Sequence, residues 1–240
     1  MKKQIAYALF TISLAFTATA GAFRLEPMVA DFSIDGDGAS KIFRVENEAK
    51  EKIAVKIEAF VRAIDENGKE TLTPTKNFKI YPDQISLAAS DSRAVRVIYQ
   101  GPKDLEQEAA YRIVASQLPV SFKEDPKKTG IKFLFQFVAS VYVTSDKYYP
   151  KVQVESVTNI DKDNIRIKVV NKGQKHALLK DVKIELKDSA GTVLKLGPEN
   201  IKDWDGENLL SGTRRTFKVK SPGTYDIKKE VPKIDLKEQE

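Results

Sequence analysis

Ile131-Lys132-Phe133-Leu134-Phe135-Gln136-Phe137-Val138-Ala139-Ser140-Val141-Tyr142-Val143 is the longest apolar strand pattern in the chain. Alternation puts Ile131, Phe133, Phe135 and Phe137 on one face, and Leu134 and Val138 make the other face apolar too. Two readings stand side by side: a central strand buried on both faces, or an edge strand whose bulky row is offered to another protein. Exposed edges normally carry charge or proline, so a long apolar edge points to deliberate strand addition. Four such anchors would contribute on the order of 6–12 kcal/mol before ordering costs, at about 1.5–3 kcal/mol each.

The same period of two recurs on either side. Val55, Ile57, Ala59 and Val61 alternate with Lys56, Glu58 and Arg62; Val95 and Val97 flank Arg96; Ile165, Ile167 and Val169 alternate with Arg166 and Lys168; Val182, Ile184 and Leu186 alternate with Lys183 and Glu185. Each such strand covers a core with one face and meets water with the other. Asn67-Gly68 suits a tight hairpin, and Asp35-Gly36-Asp37-Gly38, Asn171-Lys172-Gly173, residues 188–191 and Asp205-Gly206 punctuate similarly. Only 104–110 has room for a turn or two of helix. Short strands at this spacing predict an all-β chain of two immunoglobulin-like β-sandwich domains.

Residues 1–22 carry Lys2 and Lys3, then a mostly apolar run over 5–16, then small residues to Ala22. That is the order of a secretory signal peptide, with cleavage expected after Ala20 or Ala22, and the run is too short to span a bilayer. The chain has no cysteine, so an exported form must be held by buried apolar area, and thiol chemistry and Cys-based zinc sites are excluded. A length of 240 residues allows two domains with a core each. The boundary is placed at Lys147-Tyr148-Tyr149-Pro150, where proline makes a semi-rigid elbow. This gives an N-terminal domain over 23–146, a second sandwich over 150–222, and a polar tail or late strand over 223–240. The formal charge of +6 loses Lys2 and Lys3 with the leader. The other cations alternate with apolar residues or sit in turns, as on solvated sheet faces, so nucleic acid is not an expected partner.

Residues for catalysis do not gather. His176 has no cysteine or second histidine nearby and reads as structural; no G-x-S-x-G elbow and no phosphate-binding G-x-x-x-x-G-K-[ST] loop occurs. Asp161-Lys162-Asp163-Asn164 and Asp203-Trp204-Asp205-Gly206-Glu207 do not continue into the calcium loop of an EF-hand and read as hairpin turns. No enzyme activity, cofactor or metal is expected, since a hydrolase would have only scattered acids behind it.

Several motifs in order resemble one family. Phe78-Lys79-Ile80-Tyr81-Pro82 with Leu87, then Ser92-Arg93-Ala94-Val95-Arg96-Val97-Ile98, resembles the core of the PapD-like periplasmic pilus chaperones, and Glu108-Ala109-Ala110-Tyr111-Arg112-Ile113 with Leu118-Pro119 resembles the strand that follows it. Val170-Asn171-Lys172-Gly173 with His176-Ala177, and Leu210-Ser211-Gly212-Thr213-Arg214-Arg215-Thr216-Phe217, are similar to the family's second domain and look closer to its archaic branch. The resemblance covers most of 23–220. It implies two Ig-like sandwiches at an angle, a periplasmic location, pilus subunits and an outer-membrane usher as partners, and no nucleotide. It also implies that Ile131, Phe133, Phe135 and Phe137 are a donor strand completing a subunit's unfinished Ig fold.

One departure bears on client capture. The well-studied branch anchors the client's terminal carboxylate with an arginine in the first strand and a lysine in the donor strand, whereas Val29 and Ser140 stand there in this chain. Either another cation does the anchoring, with Arg112 preferred over Arg93 and Arg24, or the client is held without that contact. A guanidinium can grip a carboxylate bidentately. An apolar row this long is also expected to favour self-association when no client covers it. The rival reading is an Ig-like periplasmic or surface binding protein that keeps the fold without pilin handling.

Overall fold

The structure, a computed structural model, describes residues 23–120, 122, 133–161, 163–180, 182–187, 193–197, 200–204, 206–220 and 233–235. The expected leader, residues 1–22, and Ile131 lie outside these. Among the described residues there are strands and two 3₁₀ turns, Asp37–Ala39 and Lys202–Trp204, and no α-helix.

Residues 23–143 build two facing sheets. One runs in the order β1 (Phe23–Glu26), β3 (Ser40–Asn47), β8 (Ser92–Tyr99), β6 (Phe78–Tyr81). The other runs β2 (Val29–Phe32), β10 (Gln136–Val143), β9 (Ala109–Gln117), β4 (Ile53–Ile64), β5 (Glu70–Pro74), with β7 (Gln84–Leu87) pairing the first residues of β4. Pairing is antiparallel except between β2 and β10, which run parallel. Alternation assigns the faces: β8 buries Val95, Val97 and Tyr99, and β3 buries Phe43 and Val45, against Phe32, Ile57, Ile113 and Val141 of the opposite sheet. At about 1.5–3 kcal/mol per buried large side chain, this core supplies the main term holding the sandwich together.

The β4–β5 hairpin turns on Gly68, at φ 88, with Asp65 Oδ1 accepting from the N–H groups of Asn67 at 2.9 Å and Lys69 at 2.8 Å. Its tip reaches the second domain. The Glu66 carbonyl accepts from Thr216 N–H at 2.8 Å, and its carboxylate lies 3.0 Å from Lys168 Nζ. A Cβ on Gly68 would come within 2.3 Å of Arg215 Nη2, so that guanidinium would have to shift to admit one.

The second domain combines β11 (Val152–Asp161), β12 (Asn164–Asn171) and β17 (Arg214–Lys220) in one sheet, a pair of β13 (Ala177–Leu179) with β16 (Glu207–Leu209), and β14 (Lys183–Lys187) between β15 (Val193–Leu196) and β18 (Lys233–Asp235). Strand β18 falls in the stretch read as a tail or late strand. Trp204 stacks on Phe217 at 4.1 Å inside a core with Ile165, Ile167, Leu179 and Ile184.

Two fully buried asparagines do matching work in the two domains. Asn47, closing β3, donates through Nδ2 to the carbonyls of Glu51 at 2.8 Å and Ala88 at 2.7 Å, and accepts from Ala49 N–H at 3.0 Å. Asn171, closing β12, donates to the carbonyls of Lys175 at 2.7 Å and Leu209 at 3.1 Å, and accepts from the N–H groups of Lys151 and Gly173, both at 3.0 Å. Each side chain substitutes for the ladder where a strand ends inside the protein. Asn171→Ala orphans several buried backbone groups and is expected to cost about 3 kcal/mol, read as a lower urea midpoint at unchanged slope.

The helix expected over 104–110 is absent. Ala109 and Ala110 open β9. The preceding backbone bonds outward to the second domain and to the elbow before it: Glu108 N–H donates to the Gln174 carbonyl at 2.8 Å, and the Leu105 carbonyl accepts from the Tyr148 hydroxyl. Good helix formers are overridden by these tertiary partners.

Candidate functional site

Strand β10 is half central and half edge. Its residues Ser140–Val143 pair with Val29–Phe32 of β2, starting at the bond from Ser140 N–H to the Met28 carbonyl at 2.8 Å. Upstream, among the described residues, β10 pairs with β9 alone, in register from Gln136↔Ser116 to Ala139↔Ile113. Phe135 bonds toward β9 through its carbonyl, which accepts from Gln117 N–H at 2.9 Å, so by alternation the N–H and C=O of Gln136 and Val138 point out from the sheet. The segment is thus central from Ser140 to Val143 and lies at the rim from Gln136 to Ala139.

The odd-numbered row looks into the mouth between β10 and β1 of the facing sheet. Phe137 packs edge-to-face on Phe23 with centroids 4.8 Å apart, and Phe135 packs half-buried on the same core. Phe133 is 72% exposed and Leu134, on the other face, 50%. No charge and no proline protects residues 133–139. Together these make an apolar, unpaired half-edge that stops where β2 begins.

At that stop the outer face of the sheet carries the cross-strand row Val29, Ser140, Arg112, Phe60. Val29 and Ser140 are thus direct neighbours, and the cation of this row is Arg112. Its side chain is only 15% exposed; Nε and Nη2 donate to Glu70 Oε1 at 3.1 and 2.7 Å, and Nη1 donates to Ser140 Oγ. Arg62, one strand away, also donates through Nε to Glu70 Oε1, and through Nη1 to the Tyr142 hydroxyl at 3.2 Å. Burial pushes the Glu70 carboxyl up, but the bonds and charges of Arg112 and Arg62 outweigh it and hold the carboxyl below its ordinary value. The sign follows from that: the ion cluster stabilises the fold fully above the ordinary carboxylate range and loses its contribution as acid protonates Glu70.

The second domain closes over this row. Asn208 Nδ2 lies 2.6 Å from the Tyr142 hydroxyl, and the Tyr142 ring stacks on His176 at 3.9 Å. His176 is held in turn by Glu108, whose Oε1 accepts from its backbone N–H at 3.0 Å and lies 2.6 Å from its Nδ1. The lone histidine therefore has a structural role at the domain junction. Asp161 caps the β11–β12 turn by accepting from Asp163 N–H at 2.9 Å and from Asn164 Nδ2 at 2.8 Å. Among the described residues, no group of three or more His, Asp and Glu comes together as metal ligands.

Arg24 and Arg93 lie elsewhere. Arg24 is on β1 in an exposed network with Glu26, Glu46 and Glu48; Arg93 is on β8 with Asp91 at 3.9 Å. Both belong to the opposite sheet and are not brought to the Arg112 row. Sequence reasoning missed Arg62, Glu70 and Tyr142, which join Arg112 only through the β4–β5, β4–β9 and β9–β10 registers.

The chain thus combines two Ig-like sandwiches with a half-open apolar edge on the first and an arginine row beside it. Residues 29–143, the first domain, match the family of the pili and flagellar-assembly chaperone PapD N-terminal domain. Solved structures with a similar fold include the class 5 fimbriae chaperone CfaA (TM-score 0.56, 19% identity, 91% of this chain and 100% of that one). A chain of the CsuC–CsuE chaperone–tip adhesion subunit complex from the archaic Csu pili of Acinetobacter baumannii is similar too (0.55, 13%, 82% and 89%). So is one from the Salmonella enterica SafA pilin–SafB chaperone complex (0.52, 12%, 84% and 85%). At these identities the likeness carries the fold. No curated protein matches the chain in sequence.

Proposed function

We propose that the protein is a periplasmic, non-enzymatic chaperone that captures a pilus subunit by strand addition along residues 133–139 and passes it to an outer-membrane usher by strand exchange. The observation that carries this reading is the unprotected apolar half-edge ending at the Ser140–Arg112 row. Outward-pointing backbone groups at Gln136 and Val138 would supply the ladder, and Phe133 with Phe135 the anchors; Ile131, outside the described residues, would extend the row. A client strand running parallel to β10, as β2 does, would end beside Arg112, so its terminal carboxylate would meet that guanidinium. The family, and the complexes of similar chains with a pilin or tip adhesin, support the partner class.

Co-expression in a periplasm with candidate pilins tests the reading: a subunit should co-purify. Arg112→Glu should weaken that complex roughly tenfold or more while the protein stays folded, since a charge-assisted pair becomes a repulsion. Failure of any subunit to co-purify would leave the rival, an Ig-like binding protein without pilin handling.

A further inference from the structure

Glu70 and its two arginines form an unbalanced cluster. Arg62 and Arg112 are 8% and 15% exposed, and Glu70, at 31%, is the one carboxylate among the described residues bonded to both. Every bond it makes with them runs to a single oxygen, Oε1. This is not the two-oxygen fork that makes arginine–carboxylate pairs strong. Two cations face one anion, and the anion is held by one oxygen. Glu70 also comes from β5, the outermost strand of its sheet, which pairs on one side only. The hairpin behind it is pinned to the second domain through Glu66. The carboxylate is therefore delivered to the arginines by a fixed arm, while its own side chain stays partly open to solvent.

We propose that Glu70 is a built-in competitor for the client's terminal carboxylate: it neutralises Arg112 in the empty chaperone and must be partly displaced on capture, which keeps the complex weak enough to release without nucleotide. This rests on the reading of Arg112 as the client anchor. The competition is electrostatic and local. A neutral end gains nothing from Arg112 and loses nothing to Glu70, whereas a charged end does both.

The test uses two synthetic peptides copying the C-terminal strand of the subunit that co-purifies, one with a free terminal carboxylate and one amidated, titrated into the full protein. Wild type should prefer the free acid. Glu70→Gln should bind the free acid about tenfold more tightly, with slower release, and leave the amide unchanged. Glu70→Asp, which keeps the charge and shortens the reach, should fall between them and guards against misfolding of the first variant, checked by near-ultraviolet circular dichroism. Unchanged or weaker acid binding by both variants would overturn the proposal, as would equal tightening for acid and amide. Arg112→Gln separates the two ideas. If it abolishes acid preference while the Glu70 variants change nothing, the competitor fails and the anchor stands; if acid preference survives in Arg112→Gln, or neither peptide binds the wild type, both fail.

Discussion

Serine at both Phe133 and Phe135 is expected to abolish co-purification of a subunit. Each aromatic anchor buried in a client contributes about 1.5–3 kcal/mol, so the pair accounts for roughly 3–6 kcal/mol, or two to four decades of affinity. The two positions are not equivalent in the free protein. Phe133 is 72% exposed, so Phe133→Ser should leave thermal stability unchanged and affect capture alone. Phe135 packs half-buried on the first core, so its replacement should also lower stability modestly. Comparing single and double variants by pull-down and thermal unfolding separates the roles. A folded double variant that still holds its subunit would remove the strand-addition mechanism altogether.

Trp204→Ala carries the largest expected loss of stability. The indole is 1% exposed, stacks on Phe217, and is the only tryptophan in the chain. Among the described residues its ring N–H finds no hydrogen-bond partner, and packing is what holds it. Truncation leaves a cavity among Ile165, Leu179 and Phe217 and should cost about 3–5 kcal/mol, much of what a domain of this size has. The loss should fall on the second domain. Tryptophan fluorescence follows that domain in the wild type, and in the variant tyrosine circular dichroism should show the first domain melting after the second. A loss below about 1 kcal/mol would mean that the second core repacks around the gap.

The strands were legible because their chemistry is local. Val55, Ile57 and Ala59 are buried while Lys56 and Glu58 look outward, as alternation requires. What periodicity could not distinguish was whether the segment after Ile131 lies inside a sheet or at its rim. That depends on β2, four residues long and more than a hundred positions away, with too few residues to announce a partner. Arg112 stood out through the motif around it; Glu70 and Arg62 did not. Their meeting depends on Phe60 lying opposite Arg112 and Arg62 opposite Leu72, registers that no spacing in the sequence declares. The misread helix has the same origin: residues 104–108 have helix-forming chemistry, but their hydrogen bonds are taken by Gln174 and Tyr148.

The β4–β5 hairpin makes the two sandwiches poor building blocks for exchange. A graft that swaps everything after Pro150 would bring a foreign β12 and β17 against the native Glu66 and Gly68, losing the bond to Thr216 and the fit around Arg215. The inherited unit is thus not a domain with a clean seam. It is the second sandwich together with a four-residue loop that the first one carries on its behalf, residues 65–68, and relatives in which either has drifted should have carried the other along.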